Sequence, residues 1–333
     1  MNLLNNNIVG INQILPHKNK WAWDLFLKGC ANNWMPTEIP MKDDIIQWNS
    51  KDFFTEDERL IIKRCLGFFA GAESLVSNNL LLNIFRYVND GECRQYLFRQ
   101  MMEESLHNLT VVYCCDSLRL DIKEVYEAYE NIPSIKKKDD FLTELTKDSN
   151  RNDIDVNTIN GKKQILKNII TYYILCEGLL FYSGFALLLN FKRYDKIPGL
   201  AQQIAYTMRD EAIHVEFGTN LINIIVKEDE ELWNKEFKQE VRGWVENVVN
   251  IEKEFIDNIL LNGILGLNKD LMYRYIEFLA NLRLDSIGLK KLFKISNHPL
   301  PWISEIVELP KNTNFFERKV LEYKGAGSYK DDL

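Results

Sequence analysis

The sequence is short of the residues that punctuate a chain. Its 333 residues include only 16 glycines and 8 prolines. Many short strands would need more turn residues than that, so long helices are the expected elements. Cysteine is sparse as well. Cys30, Cys65, Cys93, Cys114, Cys115 and Cys176 make no C-x-x-C pair and no zinc-ribbon spacing. That pattern argues against a structural zinc module and for reduced, buried thiols in a cytoplasmic protein. Positive charge is not in excess: the net charge of −7 argues against nucleic acid or an acidic membrane surface as partner. No run of about 20 uninterrupted apolar residues offers a membrane span. The opening MNLLNNNIVGINQ is polar and lacks the apolar stretch of a signal peptide.

What is present is apolar, periodic and helical. A hydrophobic content of 46% can fill one large core or two smaller ones. Residues 1–50 read as an irregular N-terminal segment, with Pro16, Pro36 and Pro40 and an aromatic group of Trp21, Trp23 and Trp34. Thr55 with Glu58 three residues on is a capping box that opens a long apolar-periodic run to about Val88. Helices are also expected at about 91–119, 122–130, 161–191, 198–226, 230–262 and 268–285, with Pro198 at a helix N1 position. The stretch 131–160 is charged and rich in Asn, Asp and Lys, and reads as a solvated connection with a short helix. Periodicity fades after about 296, and the end, GAGSYKDDL, is small and polar. The expected organisation is an irregular segment 1–50, an all-α helical-bundle domain 51–295, and a C-terminal segment and tail 296–333.

The chemistry concentrates on two of only four histidines. Glu104-Ser-Leu-His107 and Glu211-Ala-Ile-His214 share a Glu-x-x-His spacing, which puts both side chains on one helical face. Each motif is preceded by a lone glutamate in an apolar run: Glu73 in FFAGAESLV, 31 residues earlier, and Glu177 in YYILCEGLLFY, 34 residues earlier. A single Glu-x-x-His is ordinarily a surface ion pair. A carboxylate inside an apolar run, however, costs several kcal/mol unless a cation or proton accompanies it. Two glutamates from separate helices plus two Glu-x-x-His motifs make up the ligand set of a dinuclear carboxylate site in a ferritin-like bundle. Oxygen-rich ligation with one nitrogen per metal suits iron or manganese better than copper or structural zinc. His17 and His298 belong to no such pattern and read as surface or loop histidines.

The order Glu, Glu-x-x-His, Glu, Arg-Asp-Glu-x-x-His resembles the small subunit of class I ribonucleotide reductase, from about Trp21 to Tyr323. FFAGAESLVSNNL, EESLH, CEGLLFYSGF and MRDEAIH are similar to the segments that carry that family's six ligands. NFFERKVLEYK is similar to its signature before the flexible tail. The resemblance implies a subunit that reacts with dioxygen or peroxide at its metals. The resulting one-electron hole is delivered to a cysteine of a separate large subunit, which is bound through the C-terminal tail. It also implies a homodimer, a relay from His107 through Asp210 to Trp34, and a tail tyrosine, Tyr323 or alternatively Tyr329, that carries the hole across the interface. Phe181 and Phe185 would form the apolar wall beside the metals.

One departure bears on the oxidant. Where the common form of the family has a radical-bearing tyrosine one turn after the first histidine ligand, this chain has Val111, and Tyr113 points to another helix face. Its first ligand is Glu73, where the common form has Asp. Both changes resemble the tyrosine-independent subclass, often called Ic, in which a Mn/Fe pair stores the oxidising equivalent. Tyr206 matches a tyrosine that assists electron delivery there. Residue types do not separate Mn/Fe from Fe/Fe or Mn/Mn. Competing readings are a Mn/Fe ligand-binding oxidase of the same superfamily, which Tyr172 keeps open through its position five before Glu177, ferritin-like metal storage, and a subunit that no longer oxidises.

Overall fold

The computed structural model describes residues 3–4, 11–147 and 154–308. Its helices, in chain order, are α1 (Lys20–Ala31), α2 (Lys42–Asn49), α3 (Glu56–Asn79), α4 (Phe85–Tyr87), α5 (Gly91–Leu118), α6 (Ile122–Tyr126), α7 (Ala128–Asn131) and α8 (Pro133–Thr146). They continue with α9 (Ile159–Ile169), α10 (Tyr182–Lys192), α11 (Pro198–Glu228), α12 (Lys235–Ile259), α13 (Lys269–Ser286) and α14 (Trp302–Glu308). Two stretches wind as π-helix: Leu80–Ile84, between α3 and α4, and Ile170–Leu180, between α9 and α10. Among the described residues the only β pairings are isolated bridges, such as Leu4 with Val88. The all-α bundle expected from the sequence is what forms.

Local signals set the boundaries. The Thr55 hydroxyl accepts from the Glu58 amide, and the Glu58 carboxylate accepts from the Thr55 amide at 2.9 Å, closing the capping box. Asp90, Asn234 and Asn268 cap α5, α12 and α13 with their side chains. Pro198 occupies the first turn of α11. Packing then brings the ligand-bearing elements together: α3 lies against α5, and the segment 170–180 lies against α11.

Two expectations need correction. The stretch 1–50 contains two helices, α1 and α2, where irregular chain was expected. Pro16, Pro36 and Pro40 all fall outside them, so the prolines mark the breaks. The charged stretch 131–160 holds α8, fourteen residues long. It buries Ser134, Ile135, Lys138, Leu142 and Thr146, an i, i+3/i+4 stripe in which one position is a lysine. The span Ile159–Lys192 is apolar and long enough to cross a membrane by composition, yet its most apolar window is wholly buried inside the bundle.

Candidate metal centre

Four elements converge on one buried point. Glu73 comes from α3, Glu104 and His107 from α5, Glu177 from the segment 170–180, and Glu211 and His214 from α11. All six are within 1% of complete burial. Their ligand atoms form two overlapping groups, each with its atoms within 4.8 Å of one another: Glu73, Glu104, His107 and Glu211, and Glu104, Glu177, Glu211 and His214. Glu104 and Glu211 belong to both groups and could serve two ions. The remaining four residues would supply one glutamate and one histidine to each.

Both imidazoles turn the same nitrogen inward. His107 Nδ1 lies 3.1 Å from Glu211 and 3.5 Å from Glu73, and His214 Nδ1 lies 3.1 Å from Glu104 and 3.3 Å from Glu211. Outward, His107 Nε2 faces Asp210 at 3.6 Å, and His214 Nε2 meets Glu103 at 3.0 Å. Each histidine is thus oriented by the acid that precedes the ligand glutamate of the other motif. An acid on the outer nitrogen fixes the tautomer and leaves the inner one free to ligate. Arg209 lies 3.2 Å from Asp210, and Arg99 holds Glu103 at 2.8 Å. Both guanidinium groups also reach the loop after α1, Arg209 at the Asn32 carbonyl and Arg99 at the Asn33 side chain.

The electrostatics fit a cation site. Burial pushes the Glu73 carboxyl up to about 8, only partly offset by His107. Burial, then Glu211 and Glu104, raises Glu177 well above its ordinary value. Burial also works against ionised Glu104, but His214 and His107 overcome it and hold that carboxyl below its usual range. Burial alone would lower both histidines; the surrounding carboxylates raise them instead. One oxygen each of Glu73, Glu104, Glu177 and Glu211, and both His107 nitrogens, have no hydrogen-bond partner. Apart from the outward His107 Nε2, these buried, unsatisfied atoms are what a pair of divalent ions would satisfy. The donor set suits iron or manganese.

The other expected residues take definite positions. Trp34, 5% exposed, donates its indole N–H to Asp210 Oδ2 at 2.7 Å. Tyr206 packs on Trp34 with ring centroids 5.3 Å apart, beneath the Arg209 guanidinium. Phe181 and Phe185 are fully buried with Phe69 in a cluster one and two turns past Glu177. Val111 is buried one turn after His107, while Tyr113 reaches away to the Ile39 carbonyl. Tyr172 faces Thr146 on α8, so it is the neighbouring Tyr173 that addresses the ligands. His17 pairs with buried Glu92 at 2.6 Å, and His298 lies half-buried against Phe278. Tyr323 and Tyr329 lie outside the described residues.

Sequence reasoning missed part of the surrounding shell. Gln100 donates to Glu177 at 3.2 Å and to Glu104 at 3.4 Å, and it accepts from the Tyr173 hydroxyl at 2.7 Å. A signal for Glu103 was available: Glu103-Glu104 and Asp210-Glu211 are the same acidic doublet before x-x-His. Gln100, one turn before Glu104, also shares its helix face. Tyr173 also carried a signal, because it stands four residues before Glu177 and so shares its helix face, whereas Tyr172 does not.

A helical bundle with two carboxylates common to two Glu/His pairs defines a ferritin-like fold whose buried cluster suits a dinuclear metal site. Comparison with known proteins narrows the class. Residues 11–299 match the family described as "Ribonucleotide reductase, small chain", and the chain belongs to that family. It is 46% identical to the ribonucleoside-diphosphate reductase subunit beta of Chlamydia pneumoniae, over 98% of this chain and 94% of the relative. Identity to the small chain of Plasmodium falciparum is 30%, over 92% and 81%. Among solved structures it is similar to the ribonucleotide reductase R2 subunit from Clostridium botulinum, with TM-score 0.84 and 28% identity over 92% of this chain and 94% of that one. It also shares the fold of Streptococcus sanguinis dimanganese(II)-NrdF, with TM-score 0.76 and 17% identity over 90% and 99%. Its role is that of the small subunit of ribonucleoside-diphosphate reductase, working with the large subunit.

Proposed function

We propose that this subunit stores its oxidising equivalent on a Mn/Fe pair, as in the tyrosine-independent subclass, and passes a hole outward through Trp34. When bound and oxidised by dioxygen or peroxide, the metal pair supplies a one-electron oxidant. The observation that carries the reading is the line His107–Asp210–Trp34, buried throughout, with an indole N–H 2.7 Å from a carboxylate oxygen. Asp210 is built to stay ionised. Burial opposes its charge, but His107, Arg209 and the Trp34 N–H together hold its pKa below the ordinary value. An electron can then leave the indole while its proton passes to Asp210. Tyr206, stacked beside Trp34, is suited to deliver electrons inward during cofactor assembly. Val111 offers no phenol one turn from His107, so no side chain there competes for the hole, which supports a metal-centred store.

From Trp34 the hole would pass to Tyr323, or to Tyr329, and on to the cysteine of the large subunit that binds the tail. A homodimer has a place to form. Phe98, Met102 and Val112 lie exposed on one face of α5, with Leu81 and Leu82 alongside, on the side of the helix away from Glu104 and His107. Five of the six cysteines are buried and all are free, in keeping with a reducing, cytoplasmic setting.

The test is anaerobic loading with manganese and iron, then oxidant, followed by metal analysis, paramagnetic resonance and turnover with the cognate large subunit. Highest activity at a Mn/Fe ratio near one is expected; full activity with iron alone would overturn the Mn/Fe assignment. Absence of turnover under every loading would overturn the hole-transfer reading. Tyr323→Phe should abolish turnover and leave assembly intact; if activity survives, the hole travels by Tyr329.

A further inference from the structure

Outside the ligand cluster, the most unusual group in the molecule is a lysine inside the apolar core. Lys138 of α8 is fully buried, and its Nζ lies 2.6 Å from Glu252 of α12, which is also fully buried. The ammonium sits between two phenyl rings, 3.9 Å from the centroid of Phe68 and 3.7 Å from that of Phe255. Ser183 of α10 donates to the other Glu252 oxygen. A buried ion pair of this kind contributes little net stability, because desolvating both charges opposes their attraction, and well-packed apolar replacements are often as stable. Its presence calls for a role other than holding the fold together.

The second contact of Lys138 supplies that role. Its Nζ also donates to the Leu180 carbonyl at 3.2 Å. Leu180 is the last residue of the π-wound segment that carries Glu177. Two residues earlier, the Gly178 carbonyl accepts from Arg283 Nε of α13 at 3.0 Å. Gly178 permits that approach, since a Cβ there would lie 3.1 Å from Arg283 Nε and 2.9 Å from the Tyr173 carbonyl. Two cationic donors from different helices therefore hold the first and third carbonyls past Glu177. π winding is uncommon and tends to occur at functional sites. Here the π-wound stretch carries Glu177, which enters the ligand cluster.

We propose that Lys138 and Arg283 are positioning residues that clamp the π-wound segment and so fix the Glu177 carboxylate for the second metal. Burial works against the Lys138 charge, and Glu252, held in turn by Ser183, opposes that loss and aims the amine. The inference rests on the dinuclear reading and adds a prediction specific to one half of it. Loosening the clamp should weaken the ion held by Glu177 and His214 while sparing the one held by Glu73 and His107.

Cobalt(II) is the probe, because its visible spectrum reports ligand geometry without turnover. The double variant Lys138→Met/Glu252→Leu removes both charges together and leaves no buried charge unpaired. The uncharged Ser183 hydroxyl and Leu180 carbonyl lose these partners, yet the variant should fold, bind one cobalt ion as the parent does, and bind the second about tenfold more weakly with an altered spectrum. Arg283→Met should do the same from the other side. Should the double variant fail to fold, Ser183→Ala and Arg283→Met carry the test, with a smaller weakening expected for the serine. Two cobalt ions bound with parental affinity and spectrum in these variants, whatever their melting temperatures, would overturn the clamp. A parent protein that binds fewer than two ions would instead sink the dinuclear reading, and the clamp with it.

Discussion

Loading the metal-free protein with two divalent ions should expel about four protons near pH 7, a count set by the ligand electrostatics. Glu73, with its carboxyl pushed up to about 8, is about nine-tenths protonated at pH 7. Burial and its anionic neighbours keep Glu177 protonated too. The carboxylates around His107 and His214 raise both imidazoles well above their usual range despite burial, so each carries a second proton. Glu104, held low by the two histidines, has none to lose. A metal needs the lone pairs that these protons occupy, so the four protons leave when the ions enter. Calorimetric titration of manganese(II) under anaerobic conditions, in two buffers of different ionisation heat, reads the count directly. Affinity should climb by about two powers of ten per ion for each unit of pH around neutrality, which is the same proton count expressed through linkage. Release of two protons or fewer, with two ions bound, would refute this account of the cluster.

Three further outcomes follow from the same geometry. In the metal-free protein, Glu73 and Glu177 keep protons that the unfolded chain sheds near its ordinary carboxylate pKa, and His107 and His214 keep theirs above the ordinary histidine range. The folded state therefore binds more protons than the unfolded one, so its melting temperature should fall as pH rises from about 5 to 8. With metal bound the dependence should reverse, because the unfolded histidines then hold the extra protons; matched thermal scans check both signs. Trp34→Phe should leave metal stoichiometry intact and cut turnover with the large subunit by about two orders of magnitude, read by parallel metal analysis and activity. Glu103→Gln should free the His214 ring and lower metal affinity by about tenfold or more, whereas Glu216→Gln, at an exposed pair with Lys28, should change nothing in the same titration.

The buried carboxylate and histidine cluster was legible in the sequence for a physical reason. An ionisable residue inside an apolar run has few explanations, and the helical period fixes which of its neighbours can share its task. That logic found Glu73 and Glu177 in their apolar runs and paired Glu104 with His107 and Glu211 with His214. It failed where burial contradicted composition. Lys138 stands in KKKDD, which reads as solvated surface, and only the stripe through Ile135 and Leu142 betrays an inward face. It was not carried far enough at Tyr173, which stands four residues before Glu177 on the same face and reaches Gln100. Helices α1 and α2 were hidden by the prolines around them, although none of those prolines lies inside either one.

The exchange of acids between the two Glu-x-x-His motifs has a consequence for how the protein could have arisen and how it assembles. Asp210 serves the histidine of α5, and Glu103 serves the histidine of α11. Neither half of the chain, each with one lone glutamate and one Glu-x-x-His motif, contains a histidine with its own orienting acid. A half-length ancestor could have completed such a site only by pairing with a second copy of itself, each lending its acid to the other. In the present chain the same reciprocity makes metal capture a report on the docking of the two halves. With α5 and α11 apart, neither histidine would have its orienting acid, so tight metal binding should require the two to be packed together.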